Sequence, residues 1–410
     1  MLDLIFFCFF GIFLGFLAGL LPGLHPNQIY FFILIAKFGL EPHIFVVFLA
    51  SIAVSNIIFS YIPSFFIFLP DSSTIINILP AHKMVLKGDG LKALLISLVA
   101  IIITSLIIVA CLPMFALLVP FLQQFTKPFV HFLLLFLIAI MVFIEKNNLK
   151  RFFAFLLFLI SGIFGIIVLN SKIISSEKVL FPALTGLFGI PGLLFINKSS
   201  LPKQDSHEMY VKINMKLILL GLLAGALAGI LPGASESQAA TAVSLLSKLK
   251  DEEIVGSLAG INIANMLFSV ITLIETGKIR SGLAEALSTI EIKQYFLLFL
   301  GATFFSLGIS CILCLFFSKW FLRIIERINY KKIGIIVICF TVFLTFIFTG
   351  FWGLIVLITA TSLGILPLLL GIKRTNNMGF LILPVILYYS NLCDFQINSI
   401  SCEENFFKNV

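Results

Sequence analysis

An 18-residue stretch that the chain carries twice limits its possible folds more than any other feature. Residues 11–28 read GIFLGFLAGLLPGLHPNQ, and 210 residues on, without a gap, residues 221–238 read GLLAGALAGILPGASESQ. Nine of the 18 positions are identical, where chance in a Gly- and Leu-rich composition gives roughly one or two, so this is an internal repeat. Each copy is an apolar helix with glycines at spacing four, the pattern that lets a second backbone approach closely. Each then meets Pro-Gly, where proline removes a donor and glycine accepts unusual dihedrals. The apolar pieces that follow, Ile29 to Phe38 and Ala239 to Leu249, are too short to span about 30 Å at 1.5 Å per residue. The repeat predicts a broken or re-entrant helix in each half.

Composition gives the solvent. Hydrophobic residues make up 60% of the chain, charged residues 11%, and 47 residues are Phe, more apolar surface than a soluble core needs. The expected fold is an all-α polytopic membrane protein with about 10–12 transmembrane segments, located in the cell membrane. Residues 1–200 and 201–410 are expected to form two repeats of one membrane unit. The net charge of +8 lies in small Lys/Arg clusters between apolar runs, as the positive-inside rule expects. No basic stripe interleaved with aromatics suggests nucleic acid. The seven cysteines sit mostly inside apolar runs, and Cys311-x-x-Cys314 lacks a flanking His or second pair, so both read as packing residues. The run from Leu4 has no basic n-region and leads into the repeat rather than to a cleavage site, unlike a signal peptide.

In chain order, spans are expected near 4–21, 44–61, 91–120, 129–144 and 152–169, then a Gly/Pro-punctuated segment at 180–196. The hydrophilic stretch 197–216 divides the halves. Spans near 254–274, 293–318, 333–350, 353–370 and 378–391 follow. Two further echoes support the duplication. Residues 54–60, VSNIIFS, match residues 263–269, IANMLFS, and residues 161–169, SGIFGIIVL, match residues 349–357, TGFWGLIVL. Basic residues precede the long run at 91–120 but follow the one at 293–318. Opposite bias around equivalent spans predicts inverted repeats.

Irregular backbone at membrane depth survives where protein or a water-filled cavity satisfies its polar groups, and paired breaks mark a transporter's central site. A half-helix starting after Pro-Gly offers free N–H groups to an anion. Gly23, His25, Asn27, Gln28, Gly233, Ser235, Ser237 and Gln238 are therefore candidate substrate ligands, with Asn56 and Asn265 facing them from the next spans. An ordinary surface turn capped by Ser235 is the alternative for one copy; duplication argues against it. Glu236 is either a coupling-ion or proton site or a first-turn acid complementing the helix dipole. A carboxylate beside an anion site repels the anion, which favours the cation role. His25 either titrates near neutral pH or only hydrogen-bonds at the interface. Enzyme motifs are lacking, with no H-E-x-x-H, G-x-S-x-G, P-loop or paired-Asp constellation, so no catalytic residues, metal or cofactor are expected beyond a coupling Na+ or H+.

The doubled G-x3-G-x3-G-x2-P-G motif, with the tail GILPLLLGIKRTNNMGFLILPVIL, resembles the TctA family, the large permease subunit of tripartite tricarboxylate transporters, and within it the archaeal branch. Bacterial copies carry a further Gly pair after Pro-Gly, where this chain has Leu24-His25-Pro26 and Ala234-Ser235-Glu236. The resemblance implies secondary transport of an organic anion. It also implies a small membrane subunit and an extracytoplasmic binding protein as partners, with a stand-alone transporter as the alternative. A polyprenyl-phosphate or other lipid-phosphate transporter on similar inverted hairpins is the rival reading.

Overall fold

The computed structural model describes residues 2–20, 30, 39–67, 78–126, 129–171, 173–174, 176–194, 202, 204, 214–231, 236–246, 250–325 and 330–390. Among them there is no strand. Seven helices are long and apolar enough to cross a bilayer, and shorter apolar helices accompany them. Side chains such as Leu117, Leu297 and Phe316 stand exposed around the outside, the surface that a lipid-embedded bundle presents.

Helix α1 (Leu2–Leu20) packs on α2 (Pro42–Phe66), and the glycine stripe gives the geometry. A Cβ on Gly15 would lie 2.6 Å from the Ile52 carbonyl oxygen, and one on Gly19 2.9 Å from that of Asn56. Residue numbers rise together along both helices, so α1 and α2 run parallel. Helices α10 (Met215–Ile230) and α12 (Asp251–Thr276) repeat this contact. A Cβ on Gly225 would lie 2.5 Å from the Ile261 oxygen, and one on Gly229 2.8 Å from that of Asn265. The next contacts also correspond, Phe59 and Ser60 against Gly19, Phe268 and Ser269 against Gly229.

The short helix α3 (Ile78–Val85) leads to α4 (Gly90–Ala110) and α5 (Leu112–Thr126). The sequence predicts one run over 91–120; the structure divides it at Cys111, because Pro113 in the first turn of α5 has no N–H to continue the ladder. The end of α2 meets the start of α4, with Gly90 against the Phe66 ring. From there α4 runs parallel to α12: Lys92 pairs with Glu252 at 2.9 Å, and Phe115 of α5 reaches the Phe268 ring at 4.9 Å. Because α2 ends where α12 begins, α2 and α12 run in opposite directions.

Helix α14 (Ile292–Ile325) follows the short α13 (Gly282–Ser288) and packs parallel to α2. Ser306 donates to Ser51 at 2.8 Å, and the Cys314 thiol reaches the Ile58 carbonyl at 3.8 Å. Cys311 and Cys314 are buried free thiols, as their apolar setting predicts. The basic end of α14, with Phe321 beside Phe66, stands with Lys83, Lys87 and Lys92 at one end of the bundle. Asp251 and Glu252 at the start of α12 answer those lysines, where acids also complement the helix dipole.

Most of the remaining helices form a second packed cluster. They are α6 (Val130–Phe143), α7 (Asn148–Asn170), α8 (Ser176–Leu184), α11 (Glu236–Leu246), α15 (Tyr330–Leu370) and α16 (Gly379–Tyr389), while Leu193 of α9 (Ile190–Leu194) and Val337 of α15 join the first cluster. Gly350, at φ 64° and ψ −156°, interrupts α15, dividing it between the two spans expected at 333–350 and 353–370. The Gly/Pro segment around 180–196 contains a π-helical turn at Thr185–Gly189, and a 3-10 turn at Arg374–Met378 precedes α16. Helix α12 lies between the clusters: Val255, Ala259 and Ile263 pack into one, Leu258 and Ile261 into the other.

Candidate functional site

Beyond the second glycine stripe the described chain resumes at α11, against the long helix that the stripe packs on. In the second copy, Glu236 opens α11, and its Oε1 accepts a hydrogen bond from Asn265 Nδ2 at 2.6 Å. Asn265 is 14 residues into the 26-residue α12, about 21 Å along a helix of about 39 Å. The carboxylate thus stands near the middle of α12, far from both helix ends. Ser237 and Gln238 are buried in the same first turn, and Thr241 donates to the Ser237 carbonyl at 2.7 Å.

One turn earlier on α12, Asn262 Nδ2 donates to the Tyr61 hydroxyl at 3.0 Å. Both residues are buried, and this bond joins the two oppositely directed helices. It also brings the end of the first stripe close to the second, since Tyr61 adjoins Ser60, the residue against Gly19. Asn56 is buried at the same level, its carbonyl against Gly19 as Asn265's is against Gly229.

The structure thus brings together Glu236 and Asn265, with Ser237 and Gln238 in the same turn, and holds Asn56 in the corresponding place of the first copy. Gly23, His25, Asn27, Gln28, Gly233 and Ser235 lie outside the described residues. Tyr61 is missing from the sequence-derived set, although a tyrosine two positions after the repeated Asn-x-x-Phe pattern in an otherwise apolar span marks a buried hydroxyl seeking a partner. Among the described residues no group of three or more His, Cys, Asp or Glu is arranged to hold a metal ion.

With a carboxylate near mid-helix beside a glycine-laced break, comparison with known proteins decides the class. The model of the tripartite tricarboxylate transporter TctA family matches residues 5–379. The chain belongs to the TctA family. It is therefore a multi-pass membrane transporter rather than an enzyme. The TctA member of the tripartite system is the permease subunit. An uncharacterized protein of Methanocaldococcus jannaschii is 29% identical over 382 residues, covering 89% of this chain and 94% of its own. No solved structure matches the chain.

Proposed function

We propose that this TctA protein is a secondary-active permease for a small organic anion such as a di- or tricarboxylate. Its halves, residues 1–200 and 201–410, act as inverted repeats whose Pro-Gly breaks form the transport site. The observation that carries this reading is the Glu236–Asn265 bond, which holds an acid in the middle third of a buried helix. An ionisable group at such depth is costly unless it has work to do. Glu236 binds the coupling cation or proton, while the amide ends after α1 and α10, with Asn56 and Gln238, orient the solute. Antiparallel α2 and α12 supply the two opposed directions that alternating access needs. A small membrane subunit and an extracytoplasmic binding protein complete the system, as the family's tripartite description suggests.

Uptake of labelled citrate and succinate into proteoliposomes under imposed proton or sodium gradients tests the reading. Gradient-driven accumulation by the wild type and its loss in Glu236→Gln are expected. Uptake that ignores both gradients removes the coupling role. Labelling of cysteines placed at Lys87 and Lys278 should report opposite membrane faces, and labelling of both from one face overturns the inverted arrangement.

A further inference from the structure

Several buried polar atoms without a hydrogen-bond partner gather where the π turn and the 3-10 turn meet: Thr185 Oγ1, Arg374 Nη1, Thr375 Oγ1, Asn376 Oδ1 and Asn377 Oδ1. The two turns touch, with Asn377 Nδ2 donating to the Leu187 carbonyl at 3.5 Å. Asn376 Nδ2 is occupied by the Lys373 carbonyl at 2.9 Å, and Ser161 Oγ reaches the Asn376 carbonyl at 3.4 Å. Irregular turns of this kind recur at functional positions. Native folds leave few buried polar atoms unpaired, so five in one place need a reason.

Arg374 is the most demanding of them. It is 9% exposed, and Nη1 is fully enclosed and without a partner. The ion pairs among the described residues all involve other side chains, so no carboxylate of a described residue lies within 4 Å of it. The buried acid at this end, Glu145, is already engaged, accepting from the Lys373 backbone N–H at 2.7 Å. His82 on α3 stands close enough to feel the guanidinium, and it brings no negative charge. Burial holds its pKa at about 4, the guanidinium pushing the same way and the Phe65 carbonyl opposing them, so it is neutral at physiological pH. A guanidinium enclosed without a counter-charge is one of the least favourable arrangements a fold can keep. Its planar fork is matched to carboxylate or phosphate oxygens.

We propose that Arg374 is the counter-charge for the anionic group of the transported solute, bound where the π and 3-10 turns meet, with the Thr185 and Thr375 hydroxyls as orienting donors. This rests on the permease reading above and divides its labour: the anion's charge is met at Arg374, and the coupling cation at Glu236. The division removes the conflict of placing an anion beside a carboxylate. The two places are structurally continuous, because Ala240 and Val243 of α11 share one apolar cluster with Met378 of the 3-10 turn.

The test uses the full chain in nanodiscs, with thermal melting and equilibrium binding of citrate, succinate and geranyl phosphate, followed by uptake in proteoliposomes. At least one probe should raise the wild-type melting temperature. Citrate or succinate acting alone identifies a carboxylate ligand, and geranyl phosphate acting alone a lipid phosphate. In Arg374→Gln the response should vanish, with affinity weakened about a hundredfold. The probe-free variant should melt at or above the wild-type temperature, because an uncompensated buried charge is gone. Arg374→Lys should fall between, having charge but no fork. An Arg374→Gln protein that keeps wild-type affinity, or that no longer folds, overturns the assignment, since Arg374 is then dispensable or a structural strut. A wild type that transports citrate while Arg374→Gln transports it equally well ends this inference alone. A wild type that neither binds nor transports any probe ends the permease reading with it.

Discussion

Gly15 against Ile52 and Gly225 against Ile261 approach to nearly the same separation, as do Gly19 against Asn56 and Gly229 against Asn265. Past the stripe the copies part company. Where the second copy places Glu236 in hydrogen-bond contact with Asn265, the first has Pro26 at the matching position. The backbone contacts are duplicated because close helix approach depends on glycine and tolerates nothing larger. The carboxylate is not duplicated; in the coupling role proposed for Glu236 one suffices, and a second would add another desolvation cost. A two-fold scaffold can therefore carry an asymmetric site.

The strongest challenge to that comparison is to overfill each stripe in turn. Gly15→Leu and Gly225→Leu each drive a side chain into a backbone carbonyl, so both should cost more than about 3 kcal/mol. Both should also abolish monodisperse protein in size-exclusion chromatography. If either is tolerated, the copies are not equivalent. Gly301→Ala, where a Cβ meets nothing within 4 Å, should be neutral or stabilising by up to about 1 kcal/mol. The asymmetry is sharpened by Glu236→Gln against Asn56→Ala. The first should reduce gradient-driven accumulation on the order of tenfold or more, with the second weakening solute affinity but leaving the gradient dependence intact; equal loss of gradient dependence would put the coupling on both copies. Tyr61→Phe removes the bond between α2 and α12 and should cost about 1 kcal/mol, read as a small fall in melting temperature. The smallest effect belongs to Lys92→Ala, a half-exposed pair with Glu252. It should cost less than about 1 kcal/mol, and less still at high salt.

Much of the framework is legible in the sequence because it follows from periodicity and breakers. The glycine stripes, the ends of α7, α12 and α16, the interruption at Gly350 and the irregular turn near Thr185 all sit where Gly, Pro and apolar runs place them. The shared end of the basic clusters follows from charge. What the sequence hides is partnership between distant segments. Nothing in GIKRTNNMGF separates a buried Arg374 from a loop arginine, because burial there is imposed by α3, α7 and the π turn. The pairing of Lys92 with Glu252, 160 residues away, is equally invisible. Of the candidate site, the echo at residues 263–269 places Asn265 on the span beyond the second motif, whereas its hydrogen bond to Glu236 is not legible in the sequence.

The packing of α4 along α12 has a consequence for how the protein is made. Lys92 leaves the ribosome 160 residues before Glu252, a delay of roughly 10–30 s at ordinary translation speeds. Through that interval α4 is inserted without the helix it is shaped to fit, and its inward Ser97 and Thr104 face lipid, the translocon or a chaperone. Neither half completes its interior without the other, so a truncated chain ending near residue 213 should be degraded rather than accumulate as half a transporter.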